Sequence, residues 1–457
     1  MAASAWQRRI IFAATHFSCD MGARQTALNA LIACRKEAAW SNGVLKEYII
    51  RDRLDRREAA LATRLCYGVM QNSILLDFYL QQLLTGRIKD LHPVVHDVLH
   101  LGIYQLYFMD KIPDAAAVNE SVSMTRKYCT KLRYAPGLVN AVLRNAIAKR
   151  DQLDQPKTLW QKYSHPQVLV EKLGSYVGKD RLEPMLQANN QIAQTVIQVN
   201  TLRTTTQELI AKLAEENVSA CAHSWLPDCL VIGATGNLEQ LESFQKGLFY
   251  VQDAAAHLSV LCAEIKEDSR VLDCCAAPGG KSFAAATAMK NTGTLFSCDV
   301  HEHKITLIKN GAERLGITNI QARCHDATQA VADWYESMDT VIADVPCSGY
   351  GIIRKKPDIR YKDPATMQEL PELQSAILRQ QAKYVKPGGV LLYSTCTLVE
   401  AENEGVVERF CRENPQFTAE ILPLPEVFGS KDAKKLLLVP GEYDTDGFFI
   451  CRLRRAL

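Results

Sequence analysis

The sequence contains no apolar run approaching about 18 residues, so no transmembrane helix is predicted and no membrane partner is expected. None of its 15 cysteines stands in a Cys-x-x-Cys metal spacing, and no metal is expected. Cys274 and Cys275 are too close for an ordinary bridge, and thiols scattered through a long chain read as reduced, which points to a cytoplasmic protein. The Gly-x-Gly-x-x-Gly pattern is missing, which argues against a dinucleotide. So is Gly-x-x-x-x-Gly-Lys-Ser/Thr, which argues against a nucleoside triphosphate. There is no internal repeat and no low-complexity tract. The net charge is only +2, which by itself says nothing about partners.

The distribution of that charge is more informative. Residues 1–150 carry 21 Lys and Arg against 12 Asp and Glu, a net +9, and the remainder carries 32 against 39, a net −7. A basic front joined to an acidic rear suggests a polyanion-binding appendage on a differently purposed domain. With 457 residues, two to three domains are expected, here at 1–150, 151–250 and 251–457. A monomer is expected. The start, Met1–Phe17, has two arginines and a short apolar patch. It is weak as a signal segment, with an acid-poor presequence as the alternative.

Residues 23–150 read as an all-helical bundle. Ala27, Leu28, Leu31 and Ile32 recur at helical spacing, as do Leu61, Leu65, Val69 and Leu75, Phe78, Tyr79. From 151 to 250 the pattern mixes strands at Thr195–Val199, Leu230–Ile232 and Leu248–Val251 with a threonine-capped helix at Thr206–Glu216, a small α+β domain. Beyond 255, apolar runs at Val271–Ala276, Thr294–Asp299, Ile320–Cys324, Thr340–Ala343 and Val390–Ser394 alternate with helix-length segments. This is the β-α alternation of a parallel, doubly wound α/β sheet, with Phe448–Leu453 as a final strand.

The first of these runs leads into Cys275-Ala276-Ala277-Pro278-Gly279-Gly280-Lys281, with a helix expected to start near Ser282. Small residues let a backbone approach a ligand, and the helix N-terminus offers unpaired N–H groups at the rim where doubly wound sheets bind cofactors. Asp299, Asp326 and Asp344 end the next three strands on the same rim. There they are candidates for the ribose hydroxyls, the adenine amino group and the reacting base. Ribose and adenine without phosphate fit S-adenosylmethionine.

Two cysteines, Cys347 in Asp344-Val-Pro-Cys-Ser-Gly349 and Cys396 in Tyr393-Ser-Thr-Cys-Thr397, close adjacent strands of that rim. The ordinary reading of a cysteine is a small buried hydrophobe, but the pairing has a chemical use. A thiolate added to C6 of cytosine makes C5 nucleophilic toward a sulfonium methyl, and a base then removes the C5 proton to expel the thiolate. A free thiol has a pKa near ~8.5, so an electropositive neighbour such as Lys281 raises the thiolate fraction. The basic run Arg354, Lys355, Lys356, Arg360 and Lys362 follows the Pro-Cys loop, where an RNA backbone would pass.

Together, Cys-Ala-Ala-Pro-Gly-Gly-Lys, Asp-Val-Pro-Cys-Ser-Gly and Ser-Thr-Cys-Thr resemble the RNA cytosine-5 methyltransferases, and within them the Sun/RsmB branch. Ala27–Leu31, Glu58–Tyr67 and Leu138–Asn145 are similar to that branch's NusB-like domain, and Ser164-His-Pro166 and Asn200-Thr-Leu-Arg203 to its linking domain. Cys274 departs from the pattern, where Ala or Leu is common, and the first ~20 residues have no counterpart. The resemblance implies a Rossmann-like class I methyltransferase domain acting on small-subunit ribosomal RNA, with Cys396 as nucleophile and Cys347 assisting release. Cytosine-5 DNA methyltransferases use the Pro-Cys cysteine instead, which keeps Cys347 open as the nucleophile. A non-catalytic RNA-binding assembly factor is the reading from another class.

Overall fold

The computed structural model describes residues 21–37, 41–233, 235–429 and 432–457, so Met1–Phe17 lies outside the described residues. The chain divides into two compact units, one ending at Gln155 and the other beginning at Pro156.

The first unit is helical throughout, with helices at Ala23–Glu37, Ser41–Arg51, Arg56–Leu83, Pro93–Phe108, Asp114–Tyr128 and Ala135–Ala148. Asp55 starts the longest by accepting from the Arg57 and Glu58 amides at 2.8 Å, and Pro93 opens the next where its missing N–H costs nothing. The 3.6-residue periodicity becomes a shared core of Leu28, Leu65, Leu76, Leu80, Leu99, Val139 and Leu143.

The second unit opens with a one-turn helix at Leu159–Lys162, followed by helices Gln167–Val177 and Lys179–Ala188. A four-stranded antiparallel sheet follows, ordered β2-β3-β1-β4, with β1 at Thr195–Val199, β2 at Ala220–Ala222, β3 at Cys229–Ile232 and β4 at Phe249–Val251. Helix Thr206–Glu215 covers it and begins in a capping box between Thr205 and Glu208.

The large sheet holds β5 (Arg270–Asp273), β6 (Thr294–Asp299), β7 (Ile320–Cys324), β8 (Met338–Asp344), β9 (Val385–Thr395), β10 (Phe417–Ala419), β11 (Lys435–Leu438) and β12 (Phe448–Arg455). Its order is β10-β12-β9-β8-β5-β6-β7, with β11 paired to β12. Strands β5 to β9 are parallel, but β12 runs antiparallel to β9, β10 and β11, so the sheet is mixed rather than purely parallel. The first strand, β5, lies between β6 and β8, so the direction of winding reverses there. That reversal opens a crevice at the carboxyl ends of the strands.

Candidate active site

Strand β5 delivers the chain to this crevice at Asp273, and the segment Cys274 to Gly279 turns it into helix Gly280–Ala288, two residues ahead of the expected Ser282 start. Gly279 has φ +118°, and a Cβ there would fall 2.4 Å from the Phe283 ring. Only glycine makes this turn. Ala276 donates to Cys298 O at 2.7 Å, tying the turn to β6, and Gly279 donates back to Ala276 O at 2.8 Å. The first amides of the helix have no partner within it and face the rim. Beneath the turn, Asp273 is fully buried and accepts from Ser282 Oγ at 2.8 Å. Burial pushes its carboxyl up to about 7.

The three acids that sequence placed at strand ends occupy different surroundings. Asp299 ends β6, buried, and its contacts with the His301 amide (3.0 Å) and Lys304 (3.5 Å) both fall on Oδ1. Asp326 stands two residues beyond the end of β7 and is exposed. Its Oδ1 accepts from the Thr328 amide and hydroxyl, which holds the carboxyl below its ordinary range. Asp344 is the last residue of β8. Its Oδ2 lies 2.6 Å from Lys281 Nζ and its Oδ1 accepts from Ser394 Oγ at 2.9 Å. Burial alone would lower the Lys281 pKa, but the Asp344 carboxylate outweighs it and keeps the ammonium charged.

Strands β8 and β9 are in register at Asp344 and Ser394, so the loops that follow bring Cys347 and Cys396 together with their sulfurs 3.3 Å apart. The hydrogen bond to Cys396, then burial, then the neighbouring Glu402 and Asp344 carboxylates hold the Cys347 thiol well above its ordinary range. A scaffold that sequence reading missed fixes both loops. Glu402 accepts from the Ser348 amide (2.9 Å) and from Gln374 (3.0 Å), which also donates to Pro346 O at 2.9 Å. Asn403 accepts from Thr395 and donates to Thr397 O at 3.0 Å, while Ser348 and Thr397 share a 2.6 Å hydroxyl contact. Gly351 donates to Cys396 O at 3.0 Å, and a Cβ there would sit 2.0 Å from Gly447 O. The available signal was Glu400-Ala-Glu-Asn403, a largely polar run shortly after a strand whose last seven residues are buried.

The basic run does not form the solvent-facing strip expected from sequence. Arg360 is only 2% exposed and donates to Ser164 O and Asn190 Oδ1 at 2.9 and 3.0 Å, leaving no surface for a phosphate. Lys355 bridges Asp253 and Asp446 at 2.7 Å each, and Arg354, also buried, faces Asp446 at 3.6 Å. These three residues therefore clamp the Pro-Cys loop to the rest of the unit. Lys356 and Lys362 are half-buried. Ser164 and Asn200 sit in the same kind of joint, Asn200 donating to Gly247 O (2.8 Å) and Leu315 O (2.9 Å).

Family models match three stretches: the NusB family over residues 21–148, an RsmF/B-like ferredoxin-like domain over 165–239, and the 16S rRNA methyltransferase RsmB/F over 260–454. A Bacillus subtilis protein named "Probable ribosomal RNA small subunit methyltransferase B" is 35% identical over 442 residues, covering 94% of this chain and 98% of its own. The chain belongs to the RsmB family of ribosomal RNA small-subunit methyltransferases. A Synechocystis relative of the same printed name is 33% identical over 95% of this chain and 100% of its own, and the Vibrio cholerae methyltransferase B is 33% identical over 87% and 90%. The crystal structure of PH0851 shares the fold, with a TM-score of 0.79 at 24% identity over 96% of this chain and all of that one. The methyltransferase is thus S-adenosylmethionine-dependent, with a NusB domain, a small linking domain and a mixed-sheet catalytic domain. Its residues fit that cofactor: helix Gly280–Ala288 begins behind a turn of small residues and its first amides suit a carboxylate, and buried Asp299 suits a ribose diol. No helix among the described residues is long and apolar enough to cross a membrane.

Proposed function

We propose that this methyltransferase acts in the cytoplasm on small-subunit ribosomal RNA, placing a methyl group on C5 of a cytidine through a covalent adduct at Cys396. The observation that carries the reading is the asymmetric cysteine pair. Cys347 holds a proton and lies 3.3 Å from Cys396, while the Lys281 ammonium stands close enough for charge interaction with Cys396. In this reading Cys396, within Ser394-Thr395-Cys396-Thr397, is the nucleophile, and Cys347 keeps its proton.

S-adenosylmethionine, when bound, supplies an electrophilic methyl on a sulfonium. In this reading Ala276 to Lys281 and Asp299 hold it, with Asp326 facing its adenine. Cys396 thiolate adds to C6 of the cytosine, and the displaced π electrons build charge on the ring that makes C5 nucleophilic. Asp344, fixed by Lys281 and Ser394, meets the N3/N4 edge, where its carboxylate accepts from the N4 amino group and orients the ring. Once Cys396 is a neutral thioether, the interactions with it that kept Cys347 protonated disappear. Cys347 can then lose its proton to water and take the C5 proton as the C6–S bond breaks, restoring the Cys396 thiolate. The net products are the methylated base, S-adenosylhomocysteine and one proton released to solvent.

The division at 1–150, 151–250 and 251–457 assigns RNA affinity to the basic front, which carries a net +9. Lys356 and Lys362 are the members of the basic run retained as phosphate contacts, and the protein works as a monomer. Mass spectrometry of small-subunit RNA from cells lacking the protein should show one missing 5-methylcytidine, restored by the wild-type gene and not by Cys396→Ala. An unchanged modification profile would sink the proposal.

A further inference from the structure

The first unit contains a group of side chains that the methyltransferase reaction does not use. His96 and His100 stand one turn apart on helix Pro93–Phe108, and Asp77 faces them from helix Arg56–Leu83. Both imidazole Nε2 atoms point at the same oxygen, Asp77 Oδ1, at 2.7 and 2.8 Å, and the two rings lie 4.0 Å apart. It is the one trio of potential metal-ligand side chains among the described residues whose donor atoms all lie within 4.8 Å of one another.

The geometry points to a site for a borderline divalent transition cation, zinc foremost, held by Asp77, His96 and His100 and completed by water. Two histidines at i and i+4 present their nitrogens to one point beside a helix, and a carboxylate from a neighbouring helix supplies a third ligand. Imidazole with carboxylate suits zinc, cobalt or nickel rather than calcium or magnesium, which take oxygen ligands. The surroundings are half closed. The His100 side chain is 4% exposed, that of His96 24% and that of Asp77 38%. A cation and its water can therefore enter from the Asp77 side against a fixed inner ligand. Asp97, next to the site in sequence, is committed to Arg35 at 2.7 Å and is not a ligand.

A carboxylate only accepts, so each ring presents an Nε2–H to Asp77 in the present arrangement. On binding, that proton leaves Nε2, and the freed nitrogen coordinates the cation. Ligand bonds of about 2.0–2.2 Å in a tetrahedron require donor atoms a little over 3 Å apart. From 2.7 and 2.8 Å, Asp77 Oδ1 thus needs to withdraw by about 0.5–0.9 Å, within the reach of a partly exposed side chain. The cation would pin two helices of the bundle together and stabilise the unit as any ligand of the native state does.

Cobalt titration of the full-length protein, stripped with chelator, tests this directly. The expected result is one equivalent bound with visible ligand-field bands lacking thiolate charge transfer, and displacement by zinc. Because His100 is buried, the variants are His96→Gln and Asp77→Asn, each checked for native helicity. Each should weaken binding by about tenfold or more and remove the rise in melting temperature that zinc produces in the wild type. No cobalt uptake, uptake with a thiolate signature, or equal affinity in the folded variants would overturn the site.

Discussion

The turn after β5 and the two loops after β8 and β9 share one rim but are built by different means. The turn is local: Ala276, Gly279, Gly280 and the helix they start all lie between Ala276 and Ala288, and its shape depends on the absence of side chains. The cysteine loops are long-range. Their sulfurs meet only because β8 and β9 are adjacent in register, and buried polar groups from Gln374, Glu402 and Asn403 hold them there. In the proposed reading the first construction holds the cofactor through backbone, whereas the second brings two sulfurs to within 3.3 Å of each other. Damage to the turn should therefore appear in cofactor affinity, and damage to the loops in the chemical step.

Lys281 belongs to both, as the first turn of the helix and as the cation beside Asp344 and Cys396. Lys281→Met should cost the most, roughly a hundredfold or more in kcat, the scale of losing one charge-stabilising group. Single-turnover kinetics that showed only a raised cofactor KM would return Lys281 to the binding side. Asp299→Ala should be purely a binding variant. It is expected to weaken S-adenosylmethionine by the worth of a charge-assisted hydrogen bond, about 1.5–3 kcal/mol, with kcat intact at saturation. Calorimetry giving wild-type affinity would remove Asp299 from the site.

Asp273, under the turn, has a smaller and pH-dependent effect. Its folded carboxyl is pushed by burial up to about 7, against 3.8 as the reference value. In the window between these values the folded state binds the proton and the unfolded state does not, so stability falls as pH rises from about 4 to 7. Above it the buried charge costs its full amount. Asp273→Asn should therefore melt higher than wild type at pH 8, with the gap narrowing as pH is lowered through 7 toward 5. A pH-independent gap would mean that Asp273 does not titrate in this range.

The same contrast explains what was legible beforehand. The bounds of β1, β6 and β7 are those read from the sequence, because a short, largely apolar segment between turn residues has few other uses. Strands β2, β10 and β11 were missed: they are three or four residues long and exist through partners such as β12 rather than through their own pattern. The cysteine pair and the cofactor turn were visible as motifs. The inward position of Arg360 was not, since its acceptors Ser164 and Asn190 lie 196 and 170 residues away in sequence. Nor were Gln252 and Asp253, which leave β4 to meet Gly280 and Lys355. Local chemistry can be read from a sequence, but burial of a charge depends on what comes to meet it.

The division of labour between the two cysteines is the central claim, and denaturing gels of protein incubated with substrate RNA and S-adenosylmethionine test it most directly. Cys396→Ala should give neither methylation nor a covalent complex. Cys347→Ala should form the adduct and release it slowly, leaving a complex that survives denaturation. A trapped complex with Cys396→Ala, and none with Cys347→Ala, would contradict the account by making Cys347 the nucleophile.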